Sequence, residues 1–415
     1  GPDQGVRGYA HTIKEDTVKK DLLFVGTELG LWISLDGGAK WAQFKGGEFP
    51  NVAVREVQVH PRDGDLVIAT HGRGIWIVDD LAPLRALSDD VLQKSTAFLP
   101  VRPVQQRMQG SGGWAEGDAT FSGDPAPTGL GVTYYLRSRH IYGPIKLEVL
   151  DAAGKLVDTI TPSKRRGINR VTWTMRVKPP AVPRAAQVAF AASQGPRVMP
   201  GTYTLRLTRG AETVETKVAI GLDRRAPYSA ADRKAQFEAV MKAHALFGDM
   251  TRLTGRIDAA HRAIAERLKS VPASDELARQ LRALQDKVEA ARKQIVATTE
   301  GGAITGEERI REHLEQLYGA LNGWEGRPAK YQLDAIEALR KELADVDRTV
   351  AAIVTKDARA LDDELRKHKL EPLPQLSALD RPADVDALAL HCVATGGREC
   401  EGGDEAAATR TRERD

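Results

Sequence analysis

Cysteine is almost absent from this 415-residue chain. The two that occur, Cys392 and Cys400, lie near its C-terminal end, which excludes a disulfide framework for the folded parts. A Cys392–Cys400 bridge and two free thiols are both open readings, and with only His391 beside them the pair makes a weak zinc site. Aromatic residues are 5 % of the chain. No apolar run approaches the ~18 to 20 residues of a membrane span, so none is expected. An excess of one charge is missing too: 60 Lys and Arg stand against 57 Asp and Glu, a net +3, which gives no bulk case for nucleic acid as a partner. No nucleophile–base pair, metal-ligand set or phosphate-binding loop is present, so no cofactor is expected and any catalytic residue is unknown. The chain begins with Gly1 rather than Met and carries no signal-peptide pattern. Gly1-Pro2 fits a protease scar or a piece of a longer parent, and the start of the chain therefore does not decide localisation.

What is present is architecture. Hydrophobic residues make up 41 % and charged residues 28 %, and the length predicts two to four domains. Residues 22–33 read Leu-Leu-Phe-Val-Gly-Thr-Glu-Leu-Gly-Leu-Trp-Ile, two short apolar strands about a glycine turn, and residues 66–78 repeat the design as Leu-Val-Ile-Ala-Thr-His-Gly-Arg-Gly-Ile-Trp-Ile-Val. Self-similarity at a period of ~44 residues is what four-stranded propeller blades produce. Val54 to Val59 alternates as a further strand and ends at the turn His60-Pro61-Arg62-Asp63-Gly64. The first copy runs into Ser34-Leu35-Asp36-Gly37-Gly38-Ala39-Lys40-Trp41. There Asp36 can accept backbone N–H groups, Gly37 and Gly38 allow positive φ, and Trp41 can bury its ring on a neighbouring strand.

That octapeptide fits the Asp-box pattern Ser-x-Asp-x-Gly-x-Thr-Trp with Lys40 in the Thr position. Together with Leu22–Asp36 and Asp65–Asp80 it resembles the closing blades of sortilin-like, BNR (Asp-box) repeat propellers, whose bacterial members are often labelled glycosyl hydrolases. The resemblance covers residues 1–82. It implies terminal β-propeller blades completed by upstream blades of the same parent, and a secreted or periplasmic location. It implies that Ser34, Asp36, Gly38 and Trp41 are a structural element at a blade edge rather than a catalytic one. Propeller glycosidases keep their acids mostly on other blades, as sialidases do their arginine triad and tyrosine nucleophile, so no such residue carries over. A propeller needs at least ~4 blades to close, and residues 1–82 supply fewer than two.

Residues 83–118, with Pro100, Pro103, Gly110, Gly112 and Gly113, read as a linker. Short strands return over 119–223, at Val132–Leu136, Ile145–Leu150, Lys155–Ile160, Asn169–Met175, Gly201–Thr208 and Thr213–Ile220. That is the scale of a fibronectin- or immunoglobulin-like β-sandwich, without the Cys-Trp-Cys core of antibody domains. Pro179–Gly195, rich in proline and alanine, reads as a mobile loop. Trp114, Tyr134, Tyr135 and Tyr142 are either sugar-stacking aromatics or core and loop contacts.

Four helical stretches occupy 228–370, with Ser229-Ala-Ala-Asp as a capping box and apolar stripes through Phe247–Leu268, Leu277–Ile295, Ile310–Trp324 and Leu333–Ile353. They fit an antiparallel helical bundle or coiled-coil hairpin. His244 and His261 read as packed residues, and Glu308, Glu312, Glu315 and His313 lack the Glu-x-x-His motif of di-iron bundles. Residues 371–415 are expected to be disordered.

The fold class expected is thus a multidomain β plus α protein: partial propeller, sandwich, then helices. The function expected is a non-catalytic interaction or scaffold region that binds polysaccharide or a protein or peptide ligand. In a sortilin-like propeller, His71 and Arg73 would contact the ligand, with Arg73 clamping a carboxylate; an exposed glycine turn is the plainer reading. The alternative is part of a glycoside hydrolase whose acids lie upstream. Within this chain Glu28, Asp79 and Asp80 at strand ends are the carboxylates that could approach a channel, although Asp79-Asp80 also suits a cap at the exit of the last strand.

Overall fold

The computed structural model describes residues 3, 5–46, 48–108, 128–301 and 306–373. Within them the chain is mixed β and α, with several mostly antiparallel sheets followed by helices. It divides into two compact units. Unit 1 is Gly1–Met175 with Pro200–Arg224, and unit 2 is Arg176–Met199 with Arg225–Asp415.

Unit 1 opens with the repeat. β1 (Ala10–Glu15), β2 (Leu23–Thr27), β3 (Gly30–Ser34) and β4 (Ala42–Gln43) form one antiparallel sheet in chain order. β5 (Val54–Val59), β6 (Leu66–Thr70) and β7 (Ile75–Val78) form the next. Both bury Leu22, Phe24, Leu31, Val57, Leu66 and Ile68 in one core. They meet closely at Gly26, where a Cβ would lie 2.7 Å from side-chain atoms of Thr12 and Val54 and from the Val54 carbonyl; only glycine leaves room there. Asp16, whose side chain is fully buried, accepts two hydrogen bonds from Arg85, at 2.7 and 2.9 Å, and the backbone N–H groups of Val18 and Lys19.

The stretch read as a linker carries structure. It holds α1 (Ala82–Ala86), α2 (Asp89–Gln93), β8 (Thr96–Phe98) and β9 (Val104–Gln106). β8 pairs with β10 (Leu130–Leu136), which pairs with β13 (Gly167–Trp173). β9 runs parallel to β15 (Glu212–Leu222) at the edge of a sheet that continues through β14 (Gly201–Arg209), β11 (Ile145–Leu150) and β12 (Leu156–Ile160). Segments of three residues are too short to carry a visible alternation, so their pairing partners, not their own pattern, make them strands. Trp173 of β13 stands edge-on to Tyr203 of β14 at 5.6 Å and donates its indole N–H to Asp158 of β12 at 3.0 Å.

Unit 2 is built on α3 (Ala230–Lys269), α4 (Glu276–Ile295), α5 (Ile310–Gly323) and α6 (Lys330–Ala352), followed by a π-turn (Ile353–Asp357), a 3-10 turn (Arg359–Leu361) and α7 (Asp362–Lys367). Ser229 and Asp232 close the capping box of α3 in both directions. The Asp232 carboxyl is lowered to about 2, first by Arg327 and then by Ser229. Along α3 and α4, Asp258 meets Arg292 while His261 meets Gln285, so the two helices run antiparallel. One core joins α3, α4, α5, α6 and the short helical turns after them. Among the described residues no helix is long and apolar enough to cross a membrane.

The proline- and alanine-rich insert is not a free loop. It belongs to unit 2, where helix side chains donate to its carbonyls: Arg311 to Pro183 and Gln187, Thr251 to Ala181, and Tyr318 to Gln194. Proline supplies no N–H for a ladder, so such a segment is held through its acceptors. Gly195 lets the two ends of the insert touch, since a Cβ there would come within 1.8 Å of the Val177 carbonyl. Residues 374–415, the cysteines with them, lie outside the described residues, as does Trp114.

Candidate functional site

The Asp-box forms a closed hydrogen-bonded turn. The Ser34 hydroxyl donates to Asp36 at 2.8 Å and accepts the Gly38 N–H at 2.9 Å; Asp36 accepts the Lys40 N–H at 2.9 Å, and the Trp41 indole donates to the Gly38 carbonyl at 2.9 Å. The Asp36 carboxyl is held below its ordinary range, first by the Lys40 N–H and then by Ser34. Gly37 and Gly38 adopt φ of 69° and 97°. The Ser34 hydroxyl, one Asp36 carboxylate oxygen and the Trp41 indole N–H are thus engaged within the turn itself.

His71 and Arg73 sit in the turn from β6 to β7, both exposed. This turn is one residue longer than its counterpart in the first copy: Thr27 pairs with Gly30 there, whereas Thr70 closes onto the carbonyl of Gly74 here. Gly72 and Gly74 take positive φ to accommodate the extra residue. The Arg73 guanidinium has no hydrogen-bond partner among the described residues. Of the three strand-end carboxylates, Glu28 is exposed in the β2–β3 turn. Asp80 is engaged, accepting from Arg102 at 2.7 Å and from the Ala82 N–H at 3.1 Å as α1 begins. Asp79 is exposed, and its backbone carbonyl accepts from Arg170.

The remaining candidates are dispersed. Tyr134 is fully buried and donates to the Ser163 carbonyl, and burial pushes its phenol up to about 12. Tyr135 reaches the Leu92 carbonyl, while Tyr142 stands 87 % exposed on a loop. His244 contacts the Lys178 carbonyl and His261 contacts Gln285. His313 pairs with Glu308 on the surface, whereas Glu312 is buried against Arg311 and Glu315 accepts the Ala191 N–H. Among the described residues no group of three His, Cys, Asp or Glu is placed to hold a metal ion.

One polar cluster escaped sequence reasoning. In unit 2, Glu325 is 6 % exposed and accepts from Arg197 at 3.2 Å and from the Tyr228 hydroxyl at 2.6 Å, with Arg233 3.8 Å away. Arg233, 1 % exposed, also donates to Gln236 and to the carbonyls of Arg197 and Val198, and Arg176 donates to the Gly195 carbonyl. Burial, then the neighbouring Arg197, lowers the Arg176 guanidinium. The Tyr228 phenol is pushed up, by burial and then by Glu325. This set ties the C-terminal end of the insert to α3 and to the turn after α5, and Arg176 ties the two ends of the insert together. Its charged groups are buried and face one another, and its chemistry is that of a buried clamp. The signal available in the sequence was Arg233 and Gln236, three apart on the inward face of a helix.

Comparisons with known proteins add little to this geometry. No family model matches the chain, and no curated protein matches it. Among solved structures, the BSP domain of a biofilm associated protein is matched over 54 % of this chain at 11 % identity and a TM-score of 0.18. The extracellular domain of a protein described as a hybrid two component system of B. thetaiotaomicron is matched over 52 % at 11 % identity and 0.15. A second structure from B. thetaiotaomicron, the extracellular domain of a protein described as a one component system, is matched over 51 % at 10 % identity and 0.14. The matches span 26 %, 26 % and 25 % of those chains. At such TM-scores the likeness carries no argument for fold or function.

Proposed function

We propose that this chain is a non-catalytic interaction and scaffold segment of a secreted or periplasmic protein. Its first two sheets are blades of a larger β-propeller, the two sheets that follow are a fibronectin/immunoglobulin-like sandwich, and its helices are a bundle. The ligand is a carbohydrate or a peptide. The observation that carries the reading is the unequal repeat. In the first copy β4 pairs with β3 at Trp32 and Ile33. In the second, the matching edge of β7 at Trp76 and Ile77 has no strand beside it among the described residues, and Ile75 and Ile77 are 72 % and 60 % exposed. An apolar, unpaired edge strand is a liability that proteins cover, and a further strand and a neighbouring sheet would cover it here. The engagement of Asp36 and Asp80 in turns supports the non-catalytic part of the reading.

The test is to read the coding sequence preceding Gly1. Further strand repeats with Asp-boxes at ~44-residue spacing, led by a signal peptide, are the expected result. A start codon immediately before Gly1 would remove the propeller reading. Reproducible glycoside hydrolysis by this chain, abolished by one acidic substitution, would remove the non-catalytic one. For a peptide ligand, Arg73→Ala should abolish binding at an unchanged melting temperature.

A further inference from the structure

One end of unit 1 is formed by two connections that lie side by side. Leu136 pairs with Gly167, Leu147 with Ile160, and Ile145 with Arg209. The connections 137–144 and 161–166 therefore emerge side by side, and the His140 N–H donates to the Lys164 carbonyl at 3.0 Å. Both connections are braced from beneath. His140, 9 % exposed, donates from Nε2 to the Gly143 carbonyl at 2.9 Å, which leaves Nδ1 to accept from Arg209 at 3.4 Å. Arg209 also donates to the Ser138 carbonyl and hydroxyl. Across from it, Asn169 accepts from the Ser163 hydroxyl and the Arg165 N–H and donates to the carbonyls of Arg165 and Gly167. Loops tied in this way have little freedom left to lose on binding.

What they present outward is apolar and cationic. Ile141 is 67 % and Tyr142 87 % exposed. Arg139, Lys164, Arg165 and Arg166 are exposed, and none has a carboxylate partner among the described residues. The two connections hold five Lys and Arg, Arg137 included, and no Asp or Glu, in a chain whose total charge is only +3. Of the acids at the same end, Glu212 accepts the Ser95 and Thr96 hydroxyls, and Asp89 and Asp90 sit in the first turn of α2.

We infer that this end binds an acidic polysaccharide, with Arg139, Lys164, Arg165 and Arg166 on its carboxylates and the Tyr142 ring, beside Ile141, against a sugar face. The inference rests on the carbohydrate-binding part of the reading above and is independent of the blades. A guanidinium fork matches a carboxylate with two parallel hydrogen bonds, and a tyrosine offers a rigid apolar face at small entropic cost. An anionic bilayer would also attract these charges, but lasting attachment there needs more buried apolar surface than two side chains supply.

Alginate, a polyuronate, titrated into the full chain tests this, with dextran as the neutral control and phosphatidylglycerol vesicles as the competing surface. Alginate should bind, dextran should not, and added salt should weaken the complex. Tyr142→Ala should cost about tenfold in affinity, and the triple variant Arg139→Ala, Arg165→Ala, Arg166→Ala should abolish binding, all at unchanged melting temperature. Absence of alginate binding, or binding indifferent to both variants, overturns the inference. Vesicle binding that depends on Tyr142, without alginate binding, overturns it in favour of a membrane surface. Arg73→Ala should leave alginate binding intact; a loss there moves the carbohydrate site to the β6–β7 turn and overturns this one. An upstream coding sequence without blades would sink the propeller reading and leave these results standing.

Discussion

The two copies of the opening repeat start from nearly the same residues and end in different environments. In the first, Trp32 is 7 % exposed and its indole N–H donates to Thr27, itself fully buried, at 3.2 Å. In the second, Trp76 is half-buried, packs edge-on to Phe49 at 5.4 Å and donates instead to the Arg73 carbonyl at 3.0 Å. The strand and hairpin recur because alternation and turn glycines are local properties. Burial does not recur, because it depends on what lies beside the sheet: β4 and the second sheet in one case, an open edge in the other.

The largest difference should come from the tryptophans. Trp32→Ala should destabilise by about 3 to 5 kcal/mol in chemical denaturation, as deletion of a buried indole does, and Trp76→Ala by less than half of that. Equal losses would mean that the second copy is as well covered as the first. Next comes the ion pair that ties the β1–β2 turn to α1. Arg85→Ala should cost about 3 kcal/mol, because it leaves the Asp16 carboxylate buried without its cation. Burial pushes the Asp16 carboxyl up, but Arg85 and the N–H groups of Lys19 and Val18 outweigh it, so it is lowered in the folded state. The stability it contributes is then present above the ordinary carboxylate range and lost as pH falls through the lowered folded value. Asp16→Asn should flatten that acid limb in a pH series of melting curves, and an unchanged limb would assign acid unfolding elsewhere.

Smaller effects sharpen the comparison. Ser34→Ala removes the acceptor of the Gly38 N–H and the donor to Asp36, and about 1 kcal/mol should be lost. The second copy has no serine–aspartate turn after β7, so nothing equivalent exists there to lose. The smallest effect should be at the open edge: Ile75→Thr with Ile77→Thr should change stability by less than about 0.5 kcal/mol while reducing self-association in light scattering. A large destabilisation would show that these side chains are covered in solution.

Much of the framework was legible from the chain alone. The Asp-box turn needs only Ser34, Asp36 and two glycines within five residues. The helical stripes follow from spacing: Leu277, Leu281, Leu284, Val288, Ala291 and Ile295 are all buried on α4. The stripes fail at their ends, where Trp324 lies just past α5 at 57 % exposure and Leu333 opens α6 at 41 %; periodicity counts a residue as inward whether or not a neighbour is there. Pro179–Gly195, expected as a mobile loop, is instead held by helix side chains, for a related reason. Proline and alanine signal an irregular path, and an irregular path is mobile only when nothing accepts or donates to it.

The sequence by itself determined the local structures, because turn glycines, caps and hydrophobic period act over a few residues: both hairpins of the repeat, the capping box at Ser229 and the helical stripes. Only the tertiary structure decided which copy of the repeat is covered, that residues 176–199 belong with the helices, and that Arg197, Arg233, Tyr228 and Glu325 share one buried site. It also brought the connections 137–144 and 161–166 together into a single cationic end. Those outcomes rest on contacts between residues up to 128 positions apart, as from Arg197 to Glu325, and such contacts exist only once cores have formed and excluded water from between them.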